Sequence, residues 1–169
     1  MPGALYKYLA DDHDRLDGLL RRALAQAQSG QAAIDAEAYH EFRKGILRHI
    51  GIEEKIVLPA MVKRLGRKPD VAEQLHRDHG AIVACLAPLP SPSILLTIAS
   101  ILETHNRLEE QERGLYKLLE EAAGPEAEHM LAQMVSAPPV AVLPNNDKPE
   151  VLQAAKNAVE LAGHKFKEA

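Results

Sequence analysis

The chain has 169 residues, with 20 Lys and Arg against 24 Asp and Glu and a formal net charge of −4, which fits one acidic-leaning domain. A domain of this size buries roughly two thirds of its unfolded surface, so it needs no disulfide or metal simply to fold. The lone Cys85 excludes an internal disulfide, no run approaches the ~18 apolar residues of a membrane span, and two Phe, four Tyr and no Trp fit no nucleic-acid partner. Met1-Pro2-Gly3-Ala4 opens no basic-then-apolar leader, so the expectation is a cytoplasmic protein with neither membrane nor nucleic acid as partner.

Ala, Leu, Glu, Lys, Arg and Gln fill long segments separated by Pro and Gly, which predicts an all-α chain. The first helix runs from about Ala4 to Gln28 and stops at Ser29-Gly30. A second starts at Asp35, a good N-cap, and runs past Pro59 towards Leu65-Gly66. Lys68-Pro69-Asp70 opens a third, which ends before Pro88; the fourth runs from about Ser93 to Ala123, where Gly124-Pro125 stops it. Short connections imply antiparallel neighbours, so the expected fold over residues 1–123 is an up-down-up-down four-helix bundle. Residues 124–169 form an extension: a short helix over Glu126–Val135, a Pro-rich linker with turn chemistry at Asn145-Asn146-Asp147, and an amphipathic helix from about Glu150 to Gly163. Its apolar face is expected to dock on the bundle; the alternative is a homodimer or partner contact.

Heptad spacing gives an inward seam for each long helix. These are Leu9, His13, Leu16 and Leu20; Phe42, Ile46, His49, Glu53, Ile56 and Ala60; Ala72, Leu75, His79, Ile82 and Leu86; and Leu95, Ile98, Leu102, His105, Glu109, Glu112 and Tyr116. Each of the four apolar stripes carries a histidine, and two add a glutamate one turn later. An unpaired buried carboxylate costs at least several kcal/mol, so six ionisable groups in one core call for a cation.

Axial rise places the four histidines at one level. From His13 to Gln28 and from Asp35 to His49 are roughly 22 and 21 Å. From His49 to Leu65 is about 24 Å against about 14 Å from Asp70 to His79, a mismatch that vanishes if the second helix breaks at Pro59, leaving about 15 Å. A kink or local unwinding at Pro59 is therefore expected. The ligand positions also repeat: Asp12-His13 parallels Asp78-His79, and His49-x-x-x-Glu53-Glu54 parallels His105-x-x-x-Glu109-Glu110. An i, i+4 pair lies ~40° apart on a helix, so both side chains reach one centre or two adjacent ones.

Four imidazoles and two carboxylates exceed the needs of one tetrahedral zinc, and no thiolate is available for a structural site. They suit two octahedral ions bridged by the carboxylates and by an oxo or hydroxo group, with iron the first choice and manganese or zinc as alternatives. The same motifs resemble the hemerythrin-like HHE cation-binding domain family over roughly residues 5–122. That resemblance implies a four-helix bundle with a non-haem di-iron centre, used by different members for dioxygen binding, oxygen or redox sensing, iron handling or repair of nitrosative damage. It assigns His13, His49, Glu53, His79, His105 and Glu109 as metal ligands. Dioxygen-carrying members have a further histidine at i, i+4 with the third-helix ligand, where this chain has His76 at i, i+3. Their last acidic ligand lies five residues after the histidine, the place of Glu110. The match is thus to the broader family, and His76 and Glu110 remain candidates for the ligand set.

His40, His129 and His164 are expected at the surface, Tyr6 and Tyr116 as packing two or three turns from the centre, and Cys85 as a small buried residue. Gly18, Gly45, Gly51, Gly80 and Gly114 lie inside predicted helices at about 1 kcal/mol each. Close helix approach is the plain explanation; room for a small ligand beside the metal is the sharper one, tested at Gly45→Leu. The expected function is to bind, sense or scavenge dioxygen or another small oxidant or diatomic. The alternatives are a di-iron enzyme acting on peroxide or nitric oxide, an iron donor in repair, and a structural metal-bound interaction module. No nucleophile, additional acid–base pair or cofactor motif stands out, so the residues hardly separate binding from catalysis, and the expectation only leans away from an enzyme.

Overall fold

Asp35 and Ser91 cap their helices as their side chains allow. The Asp35 carboxylate accepts from the Ala38 N–H at 3.0 Å and the Ser91 hydroxyl from the Ile94 N–H at 3.2 Å, each satisfying a donor that a helix start leaves free. The computed structural model describes residues 1–29 and 33–169. They form α1 (Ala4–Gln28), α2 (Ala36–Ile52), a π-helical turn (Glu53–Val57), α3 (Leu58–Leu65), α4 (Ala72–Leu86), α5 (Pro92–Glu110), α6 (Leu115–Ala123), α7 (Ala127–Val135) and α8 (Pro149–Leu161). Gly30, half of the first predicted stop signal, lies outside the described residues. The protein is all-helical: an isolated bridge between Pro88 and Asn146 is the one β contact among the described residues, and no described helix is long and apolar enough to cross a membrane.

The second predicted helix unwinds immediately before Pro59, over Glu53–Val57, rather than at the proline itself. Proline has no N–H and its ring crowds the carbonyl four residues back, so the preceding turn widens to i→i+5 bonding. The extra residue shifts the inward register. Beyond Glu53 the buried side chains are Val57 and Met61, whereas the predicted seam residues Ile56 and Ala60 are only half-buried.

The fourth predicted helix is two. α5 ends at Glu110, Gln111 turns to extended backbone (φ −60°, ψ 165°), and α6 restarts after Gly114, whose N–H donates to the Gln111 carbonyl at 2.7 Å. The break takes Glu112 off the seam and leaves it exposed. Restarting the chain also lets Glu120 of α6 cap α1, where it accepts from the Leu5 and Tyr6 N–H groups at 2.9 and 3.0 Å.

Two apolar clusters fill the interior. One contains Leu16, Leu20, Phe42, Ile46, Ile82, Leu95 and Ile98; the other contains Leu5, Leu9, Val57, Met61, Leu75 and Leu115. The predicted metal ligands lie between them in sequence on every long segment. α1 and α4 start in the second cluster and pass into the first, while α2 and α5 run the other way. The extension packs on this core: α8 buries Ala155 and Val159 against α4, α7 lies on α1, and Arg48 of α2 donates to the carbonyls of Met134 and Val135 at 2.9 and 3.1 Å. The linker is tied to the end of α4 by Asn145, whose amide donates to the Leu86 and Pro88 carbonyls at 3.1 and 2.8 Å.

Candidate metal centre

All six residues singled out by their spacing meet between the two apolar clusters. One donor atom each from His13, His49, Glu53 and Glu109 lies within 4.8 Å of the others, and the same holds for Glu53, His79, His105 and Glu109. Glu53 and Glu109 belong to both groups and are fully buried. The two oxygens of Glu53 divide between the groups, Oε1 lying 3.1 Å from His49 Nε2 and Oε2 3.0 Å from His79 Nε2. Glu109 does the same, with Oε2 3.2 Å from His13 Nε2 and Oε1 3.2 Å from His105 Nε2.

Each of these four histidines turns Nε2 inward and gives Nδ1 to a carboxylate on another element. Asp12 takes His49 at 2.8 Å, Glu54 takes His79 at 2.6 Å, Asp78 takes His105 at 3.2 Å, and Glu110 takes His13. The holders run in a ring, α1 to α2, the π turn to α4, α4 to α5 and α5 back to α1. A carboxylate on Nδ1 fixes ring orientation and tautomer and makes Nε2 a better donor to a cation. The duplicated Asp-His and Glu-Glu pairs supply these holders. The repeat was legible in the sequence; the holding role was not, because each carboxylate serves a histidine on a different helix.

Burial opposes charge on all these groups, yet the chain keeps them charged. Glu53 and the Asp12 carboxylate override burial and hold the His49 imidazole up to about 10; Glu109 and Asp78 hold His105 up to about 10 as well. Against its own burial, Glu53 is held well below the usual carboxylate range by His49 and His79. One acceptor is left over: Glu109 Oε1, although 3.2 Å from His105 Nε2, is buried without a hydrogen bond. Convergent Nε2 atoms, two shared carboxylates and an orphaned inward oxygen fit cations, since imidazole and carboxylate together suit octahedral divalent metals. Loading a metal requires the Nε2 protons to leave. Metal added to the chelated protein at neutral pH is therefore expected to release protons, and apparent affinity should climb as pH rises towards about 10, both readable in weakly buffered indicator solution.

Several expectations need correction. Tyr116 is not packing at a distance: its hydroxyl lies 2.9 Å from His13 Nε2, 3.2 Å from His49 Nε2 and 3.0 Å from Glu109 Oε2, and it bonds Glu53 Oε1. Burial, with the charges of Glu109 and Glu53, holds this phenol well above its usual range. His164 is not a free surface residue either. Its Nε2 meets Asp78 Oδ1 at 2.8 Å, and Gln74 donates to the same oxygen at 2.7 Å and to the Ala162 carbonyl at 2.9 Å. The C-terminal segment thus steadies the carboxylate that holds His105. Asp78→Ala is expected to weaken metal binding about 10–100-fold with its ligands intact, measured by competition with a chelator.

His76 stands outside both groups; largely exposed, it shares Glu54 with His79, its Nδ1 3.0 Å from Oε1. Glu110 is placed behind His13 rather than among the shared carboxylates. Tyr6 donates to the Glu110 carbonyl at 2.6 Å. His40 and His129 are exposed and Cys85 is buried in an apolar cluster. A Cβ at Gly45 would lie 2.5 Å from Leu16 Cδ2, so this glycine serves the close approach of α1 and α2, and Gly45→Leu would test packing rather than ligand room. Gly18, Gly51 and Gly80 face open space, which helix approach does not explain.

The model of the hemerythrin HHE cation binding domain matches residues 4–114 of the 169, the stretch that contains all six converging residues. Comparison with curated proteins and with solved structures returned no match.

Proposed function

The chain belongs to the hemerythrin HHE cation-binding domain family, and on that premise we propose that it holds two iron ions and uses them to bind, sense or scavenge dioxygen or another small oxidant. The observation that carries this reading is the sharing of Glu53 and Glu109 between two four-donor groups. His13 and His49 would serve one ion, His79 and His105 the other, and the glutamates both. A pair of iron ions supplies electrons to, and a binding position for, a small oxidising ligand. Two-metal sites of ferritin-like helical bundles use more glutamate; here imidazole predominates, and fewer anionic donors favour the ferrous state. The chain's own part is to hold the donors in place through the four outer carboxylates and to keep bulk water out. Glu53 and Glu109 have no exposure, so only a small ligand fits. The alternation of α1, α2, α4 and α5 between the apolar clusters supports an up-down-up-down bundle over residues 1–123, with 124–169 as a packed extension.

Metal analysis with optical spectra of the oxidised and reduced protein tests the reading. About two irons per chain, with absorption that changes on reduction and returns on reoxidation, is the expected result. A single zinc per chain with no redox-dependent absorption would overturn it, as would full iron loading in a His49→Ala, His105→Ala double variant.

A further inference from the structure

The two four-donor groups are unequal. The Tyr116 hydroxyl oxygen sits among one of them, within 3.2 Å of His13 Nε2, His49 Nε2 and Glu109 Oε2 and bonded to Glu53 Oε1. Those four atoms come from the four residues of the His13 group. Two imidazole nitrogens and two carboxylate oxygens are more partners than a phenol, with one proton and two lone pairs, can satisfy. That crowding is the environment of a cation's donor rather than of a core hydroxyl. The other group has no such addition: among the described residues, the inward atoms of His79 and His105 meet only Glu53 and Glu109. The repeat shows why. Tyr116 follows His105 by eleven residues, and the residue eleven after His49 is Ala60, which has no polar side chain.

We propose that Tyr116 is the fifth protein donor to the ion held by His13, His49, Glu53 and Glu109, which leaves the ion between His79 and His105 as the one with room for an external ligand. On binding, the phenolic O–H bond breaks, an oxygen–metal bond forms and the proton passes to solvent; no electrons move. The proposal rests on the two-ion reading above. The placement has a structural cause. Glu109 lies in the last turn of α5, the chain breaks over Gln111–Gly114, and α6 restarts with Tyr116 in its first turn. The Tyr6 ring meets that of Tyr116 edge-on at 6.1 Å.

The test is spectroscopic and independent of activity. The chelated chain is loaded anaerobically with iron(II) and oxidised with ferricyanide, and iron is counted. Wild type is expected to show visible phenolate-to-iron(III) charge transfer, with Raman excitation in that band enhancing phenolate ring vibrations. Tyr116→Phe should keep the iron count and lose both signals. Tyr6→Phe with Tyr8→Phe should retain them, and this pair together with the wild-type Raman spectrum decides the matter even if Tyr116→Phe fails to fold. Two irons in wild type with no phenolate signal would overturn this inference alone, as would a signal that survives Tyr116→Phe or disappears in the Tyr6, Tyr8 variant. A wild-type chain that takes up no iron would overturn the two-ion reading and this inference with it.

Discussion

Replacing Glu53 with alanine is expected to abolish metal loading in both halves of the centre at once. Its two oxygens lie 3.1 Å from His49 Nε2 and 3.0 Å from His79 Nε2, so one truncation removes a donor from each four-atom group. The holders behave differently. Glu54 touches only the outer nitrogen of His79 and that of His76, so Glu54→Ala should weaken binding about 10–100-fold without eliminating it. Glu53→Ala also acts on folding. In the chelated protein it leaves His49 and His79 buried without the carboxylate that balances them, and breaking such a buried pair costs about 3–5 kcal/mol. Glu53→Gln keeps the volume and one acceptor, and should recover much of the stability while metal stays lost. Metal content after desalting and a urea melt of each variant separate the two effects. A Glu53→Ala chain that still carries two ions would remove the basis for the shared-carboxylate centre.

The second large effect comes from a residue with no chemistry of its own. A Cβ at Gly114 would stand 2.4 Å from the Glu109 carbonyl oxygen, 2.7 Å from its carbon and 2.8 Å from the Leu108 carbonyl oxygen. All three are backbone atoms, so nothing flexible can give way, and either the end of α5 or the start of α6 must move. Overpacking of this kind costs about 1–3 kcal/mol. The shift falls on Glu109 on one side and Tyr116 on the other. Gly114→Ala is therefore expected to lower stability and loosen metal binding together. Gly51→Ala is the control, because a Cβ there meets nothing within 4 Å and helix propensity alone should add up to about 1 kcal/mol. Equal melts for the two variants would show that the α5–α6 turn does not need its glycine.

What could be read from the amino-acid order were the features that helix periodicity writes into one dimension. His13, His49, His79 and His105 stand on apolar stripes, Glu53 and Glu109 follow at i+4, and axial rise puts all of them at one level; the fold brings those six together. The α1 limits and the Asp35 cap were legible because local chemistry decides them. The unwinding near Pro59 was legible as a length mismatch, though the widened turn lies one step earlier, and the resulting change from Ile56 and Ala60 to Val57 and Met61 was not.

Tertiary structure alone decided the rest, because it depends on pairings between distant helices. Asp12, Glu54, Asp78 and Glu110 look like ordinary charged neighbours of ligands until each is seen holding a histidine of another element. His164 reads as a tail residue until α8 lies on α4 and brings it to Asp78. Gly114 reads as a weak helix position until the chain turns there and delivers the Tyr116 hydroxyl to the centre. Periodicity can say which face a residue occupies; which atom it meets depends on where a helix breaks and what packs against it.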